Sequence, residues 1–215
     1  MDNLLDEIVE LMIRDDSRII IGVSGHGASG KTTFANRLVQ RLGEEHVNYM
    51  NTDPYIIPSS KMRKYAVIHY KYKDENHCYK MTACHPDAHH LSTLERDIRM
   101  IRDGLDLYTL DTDYMKRALI SSQKKMTIIE GMSVAFTDPT LFDVNVYFYT
   151  DGETELLRRS SRDVIERGTS VEYLQQSHDE RRIQYELFMH PYHQNFDIVI
   201  RNTNEAYFIE KADLD

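Results

Sequence analysis

The stretch VSGHGASGKTTF, Val23–Phe34, constrains this chain more tightly than any other. Inside it, GHGASGKT runs from Gly25 to Thr32: a glycine, four residues, Gly-Lys, then a hydroxyl. That is the spacing of a backbone loop that wraps a phosphate group. Gly25, Gly27 and Gly30 let the chain curl until successive N–H groups point inward, and His26, Ala28 and Ser29 fill the positions between. A helix starting directly after the loop adds the partial positive charge of its N-terminus. Lys31 is then placed to reach the β- and γ-phosphates, and Thr32 to offer its hydroxyl to Mg²⁺, with Thr33 in the same contacting stretch.

The flanks supply the context that such a loop requires. Arg18–Ser24, RIIIGVS, is a short β-branched run of the kind found in a buried strand. Lys31–Leu42 carries Phe34, Leu38 and Leu42 on one helical face, with Gly43 as its stop. Residues 3–15 have helical spacing, as do Leu91–Arg102, Glu153–Arg167 and Val171–Met189. Val47–Asn51, Met126–Ile129, Val144–Tyr149 and Phe196–Arg201 read as further strands, while 61–80, rich in Lys and Tyr, has no clear period. Apolar strands alternating with helices predict a three-layer α/β/α fold around a parallel sheet. Ligands of such sheets bind beyond the carboxyl ends of the strands. The length of 215 residues suits one domain, 1–215.

Charge and composition narrow the function. The formal net charge of −9 argues against a nucleic-acid coat. No apolar run approaches the roughly 18 residues of a membrane span. The acidic start, MDNLLDEIVELM, has no cleavable signal pattern, so the cytoplasm is the expected location. With only Cys78 and Cys84, no disulfide framework is implied.

Three further groups carry chemistry. Glu130 ends the buried run MTIIE, where an acidic residue serves as a second partner for Mg²⁺. Asp53 closes the second strand, where a carboxylate can take the proton of an acceptor hydroxyl or stand simply as a turn residue before Pro54. Arg158, Arg159 and Arg162 share a helical face, and Arg167 follows near the helix end. Folded over a nucleotide, such a helix supplies positive charge to a transferring phosphoryl group. On an open surface, Arg158 and Arg159 would instead pair with Glu155, and Arg162 with Glu166.

No Asp-x-x-Gly or Asn/Thr-Lys-x-Asp signature of a GTPase switch occurs, nor the Leu-Ser-Gly-Gly of an ABC-type ATPase. A small kinase acting on a small molecule is the class that remains.

At this point the ordered set of motifs resembles the uridine kinase branch of the uridine kinase/phosphoribulokinase P-loop kinases, from about Arg18 to Asn202. GHGASGKTTFANRL is similar to the family's phosphate loop, NTDPY to the segment with its catalytic Asp, and HPDA, His85–Ala88, to its His-Pro-Asp-Ala. IIEGMSVA, Ile128–Ala135, is similar to its Glu-Gly segment, and RRSSRDVIERG, Arg158–Gly168, to its lid. The resemblance implies ATP and Mg²⁺ as cofactors, a P-loop NTPase fold with an Arg-bearing helical lid at about 153–168, and an acceptor-site insertion at about 54–117. It implies Asp53 as the base and a metal neighbour, Arg159, Arg162 and Arg167 as phosphate grips, and a homo-oligomer. It also implies an acceptor site built from Tyr55, Cys84, His85, Asp87, Asp113, Tyr114 and Arg117. That site departs from the family pattern. Cys84 stands where uridine kinases carry an Asp that contacts ribose hydroxyls, and Thr112 and Arg117 replace the Tyr and His of their Tyr-Asp-Phe hairpin. The expected reaction is transfer of the ATP γ-phosphoryl group to a hydroxyl. The acceptor is a 5′-hydroxyl of uridine or cytidine, another nucleoside, a sugar phosphate or a vitamin-like alcohol. A binding protein that keeps ATP but has lost acceptor chemistry is the alternative of another class. His77, Cys78, Cys84, His85, His89 and His90 are all zinc-ligating types, but their spacing fits no standard zinc site.

Overall fold

The apolar run before the phosphate loop forms β1 (Ile19–Gly25), every residue of it buried. The computed structural model describes residues 1–14, 17–58, 63–167, 171–204 and 206–214, with side chains for all of these except 162–167, 171–174 and 176. Ahead of β1 lies α1 (Asp2–Ile13), and after the loop come α2 (Lys31–Leu42) and β2 (Val47–Asn51). A hairpin follows, β3 (Val67–Tyr72) and β4 (Glu75–Lys80), then α3 (Leu91–Arg102) and a shorter hairpin, β5 (Leu107–Tyr108) and β6 (Leu119–Ile120). The chain continues through β7 (Met126–Glu130), β8 (Val144–Tyr149), α4 (Gly152–Arg167), α5 (Val171–Phe188), β9 (Ile198–Asn202) and β10 (Tyr207–Ala212).

Six strands make the main sheet, in the order β10-β9-β8-β1-β7-β2. β2, β7, β1, β8 and β9 run parallel, and only β10 is antiparallel, against β9. Along β1 the side chains alternate between two cores, as the pleat requires. Ile20 packs with Met50, Ile129, Tyr147 and Val199 on the side covered by α3. Ile19, Ile21 and Val23 pack with Ile128, Val146, Phe148 and Ile200 on the other side. There α1 contributes Leu4, Leu5, Ile8 and Met12, and α2 contributes Phe34, Ala35, Leu38 and Leu42. Both faces are dry, so the strands read as continuous apolar runs.

The segment without a clear period becomes a hairpin over 67–80, while residues 61 and 62 lie outside the described residues. Its turn places Lys73 at φ 47° and Asp74 at φ 67°, the left-handed pair that matches strand twist. The hairpin is seated on α5. Tyr70 and Tyr72 donate to Glu180 and Glu186 at 2.5 Å each, and His77 Nδ1 lies 2.8 Å from Glu180.

Candidate active site

In the sheet register Glu130 stands opposite Val23 of β1 on one side and Asn51 of β2 on the other. The carboxyl ends of three neighbouring strands therefore converge beside the loop. Glu130 is 1% exposed, and four groups surround its carboxylate. Lys31 Nζ lies 3.4 Å from Oε1, and the Thr32 hydroxyl donates to the same oxygen at 3.2 Å. Tyr49 and Asn51 donate to Oε2 at 2.8 and 3.3 Å. Burial, and next the charge of Glu130, push the Tyr49 hydroxyl well above its ordinary pKa, so it stays a donor.

The loop is held from outside by side chains. Asn202, at the end of β9, donates to the Ser29 carbonyl at 2.7 Å. Arg158 donates to the Ala28 carbonyl at 3.3 Å, and also to Asn202 and to the Thr203 carbonyl. These ties hold Ala28 at φ 65°, a region that a residue with a Cβ occupies only when its surroundings over-determine it. A cavity of about 390 Å³ lies against Ala28, Gly30, Lys31, Thr32, Arg158 and Tyr207. That volume is in the range of small-ligand sites.

His26 points away from this cavity. It is fully buried, and burial lowers its pKa to about 4. Its Nε2 accepts from the Thr150 N–H at 3.0 Å, which leaves the proton on Nδ1 to be donated to the Gly27 carbonyl at 2.9 Å.

Asp53 opens a short 3₁₀ turn, Asp53–Tyr55, directly past β2. It is half-buried, its N–H donates to Asn51 Oδ1 at 2.7 Å, and its carbonyl accepts from the Tyr114 hydroxyl at 3.2 Å. The tip of the β5–β6 hairpin thus reaches the turn that carries Asp53. On that tip Asp113 and Arg117 are exposed, with the Arg117 guanidinium 5.1 Å from the centre of the Tyr108 ring.

The other expected acceptor residues are not brought together on an open face. Tyr55 is fully buried and donates to Asp97 at 2.6 Å. Cys84 is fully buried in the core, and burial pushes its thiol pKa up. His85 caps the turn Pro86–Ala88, accepting from the Asp87 N–H at 3.2 Å, while the Asp87 carboxylate faces solvent. The histidines and cysteines of this region are dispersed: His89 lies between Ser133 and the Ala83 carbonyl, and Cys78 is exposed. Among the described residues no group of three or more His, Cys, Asp or Glu side chains is placed to hold a metal ion.

The arginine helix divides its work. Neighbouring residues on a helix point about 100° apart. Arg158 reaches the loop rim and does not pair with Glu155, as an open helix surface would have had it. Arg159 is 8% exposed and lies 3.8 Å from Glu155, so this pair is buried rather than a surface bridge. Glu155 is itself 1% exposed, and Arg181 and Arg182 of α5 approach it at 3.6 and 3.5 Å. The backbone of Arg162 and Arg167 belongs to α4, but their side chains lie outside the described residues. Arg181, Arg182 and Asn202 escaped the sequence reading. The adjacent arginines on α5 and the asparagine ending FDIVIRN were the available signals.

A model of the phosphoribulokinase / uridine kinase family matches residues 20–207. The chain belongs to that family. It is 27% identical over 206 residues to the uridine kinase of Lactobacillus helveticus, covering 91% of this chain and 92% of that protein. It is 30% identical over 167 residues to a uridine kinase of Chloroflexus aurantiacus, covering 72% of each. The D-glycerate 3-kinase of Cryptococcus neoformans shares its fold at TM-score 0.59 and 11% identity, over 96% of this chain and 99% of that one. This family member is an ATP-dependent phosphotransferase with a hydroxyl acceptor, on a P-loop kinase fold. No helix among the described residues is long and apolar enough to cross a membrane.

Proposed function

We propose that this kinase moves the γ-phosphoryl group of MgATP to a hydroxyl of a small metabolite at the carboxyl ends of β1, β2 and β7. The observation that carries the reading is the buried Glu130 carboxylate, held between Lys31 and Thr32 with Asp53 on the adjacent strand end. A carboxylate and a hydroxyl converging from two elements are the hard oxygen donors that suit Mg²⁺. Thr32 and Glu130 would hold the ion, with Asp53 close by. When bound, Mg²⁺ would offset the negative charge of the phosphates. Lys31 and the N–H groups of residues 25–33 hold the phosphates, releasing Lys31 from Glu130. Asp53 accepts the proton of the attacking hydroxyl or aligns it in line with the γ-phosphate. Arg159, Arg162 and Arg167 close over the transfer as a lid.

The 5′-hydroxyl of a pyrimidine nucleoside is one acceptor. A different small hydroxyl metabolite is favoured by a specific observation: Cys84 and Tyr55 are sealed in the core and present no acceptor atom to a ribose. A site that lacks the partners for a substrate's polar groups discriminates strongly against it.

The test is ADP release with MgATP and a panel of pyrimidine and purine nucleosides, sugar phosphates, glycerate and small alcohols, with Asp53→Asn as the blank. Asp53-dependent turnover with uridine or cytidine assigns a nucleoside acceptor. Turnover confined to another compound assigns that class. ATP binding without acceptor-stimulated ADP release across the panel refutes the kinase reading.

A further inference from the structure

Most side chains of a phosphate loop have no reason to be buried, because the loop binds its ligand through backbone N–H groups. His26 is fully buried. Its ring touches three separate parts of the fold. Nε2 accepts from the Thr150 N–H at 3.0 Å, at the junction of β8 and α4. Nδ1 lies 2.9 Å from the Gly27 carbonyl and 3.5 Å from Glu155 Oε2 on α4. The ring packs on Tyr185 of α5, with centroids 4.4 Å apart.

The bond to Gly27 has a consequence inside the loop. The peptide linking Gly27 to Ala28 is trans and planar, so its N–H points opposite to its C=O. With the Gly27 carbonyl turned to the His26 ring, the Ala28 N–H is turned away from it, and Ala28 lines the cavity beside the loop. Nδ1 also faces the carboxylate that Arg159, Arg181 and Arg182 share. One ring therefore touches both the Gly27–Ala28 peptide and the carboxylate that the arginines share.

We propose that His26 is a positioning residue that joins the phosphate loop to the arginine-bearing helices, orienting the Ala28 N–H toward phosphate while bracing Glu155. This rests on the MgATP reading of the loop. His26 touches neither phosphate nor acceptor; it acts through Gly27 and Glu155. Its neutral, Nδ1-protonated form is the one that satisfies both the Thr150 N–H and the Gly27 carbonyl.

The test uses the whole chain and MgATP as the probe. His26→Phe keeps a ring on Tyr185 and removes both hydrogen bonds, whereas His26→Gln keeps a donor and an acceptor. Calorimetric titration is expected to show His26→Phe binding MgATP about tenfold more weakly, the effect of losing the bond to the Gly27 carbonyl, with His26→Gln recovering part of the loss. The losses from His26→Phe and Glu155→Gln are expected to be non-additive when combined. Wild-type affinity in a thermally weakened His26→Phe would reduce the ring to packing and overturn the proposal. Additive losses would break the link to Glu155. Nitrogen-15 spectra of the free protein give a readout independent of nucleotide: a proton on Nε2 instead of Nδ1 overturns the assignment. Failure of the wild-type chain to bind MgATP, with the expected tautomer present, would instead refute the kinase reading.

Discussion

Lys31 Nζ and Glu130 Oε1 stand 3.4 Å apart across the mouth of the loop, one side chain 13% exposed and the other 1%. The ammonium proposed to reach phosphate is thus held, in the free protein, by the carboxylate proposed to hold the metal. Were Glu130 to hold Mg²⁺ and Lys31 phosphate, each partner of the pair would find a stronger one. Lys31→Met should lower kcat roughly 10²–10³-fold, the usual effect of losing a donor aimed at developing charge. Folding should suffer far less, because Thr32, Tyr49 and Asn51 still satisfy Glu130. Turnover at saturating MgATP, set beside the urea midpoint, checks both halves; turnover within tenfold of wild type would contradict the role.

Gly30 sits at φ 103°, and a Cβ there would overlap the Asn202 side-chain nitrogen. Gly30→Ala should destabilise the fold by about 1–3 kcal/mol from backbone strain and clash together. It should also weaken MgATP binding, since Asn202 can no longer hold the Ser29 carbonyl. Adding Asn202→Ala should relieve only the clash, because the backbone angle stays unfavourable. Complete recovery of the melting temperature in the double variant would show the strain to be negligible.

Tyr55 lies in the segment that resembles the catalytic one, yet its hydroxyl is bound to Asp97, a residue only 3% exposed. Tyr55→Phe should cost about 1.5–3 kcal/mol, as for other hydrogen bonds to charged groups. The KM of any active acceptor should stay within a factor of two or so, a change of only a few tenths of a kcal/mol. A raised KM at unchanged stability would move Tyr55 into the acceptor site.

Burial lowers the pKa of both His26 and His89 to about 4, against an ordinary 6.5. Between those values the unfolded chain takes up protons that the folded chain refuses. Stability is therefore complete above about pH 6.5 and falls as pH drops toward 4, by on the order of 3 kcal/mol for each ring. The range from pH 6.5 to 5 lies above most carboxylate titrations, so urea midpoints measured there report on the histidines, His190 included, whose pKa burial also lowers to about 4. A flat profile over that range would show that both rings stay accessible to protons.

Much of the fold was legible because its signals are local. The run RIIIGVS and the following glycines specify β1 and the loop without reference to anything distant, and the apolar stripe of Phe34, Leu38 and Leu42 specifies α2. The β3–β4 hairpin was not legible. Its turn residues, Lys73 and Asp74, lack the Asn-Gly or Gly signature of a left-handed pair, and its tyrosines are fixed by glutamates more than a hundred positions away. β10 escaped for a related reason. It is an edge strand with mostly exposed residues, so no apolar run marks it.

For the site, the amino-acid order alone determined the phosphate loop, Glu130 and the position of Asp53, because each is tied to the end of a strand and strand ends of a parallel sheet meet on one edge. Tertiary structure alone decided what the remaining candidates do. Arg158 and Arg159 are neighbours in the chain, but one clamps the loop rim and the other is buried against Glu155. Cys84 and Tyr55 sit in acceptor motifs but are enclosed in the core. His26 lies within the loop motif yet faces the helices behind it. Motif spacing records distance along the backbone, whereas the direction of a side chain and the company it keeps depend on helices and strands packed from elsewhere in the chain.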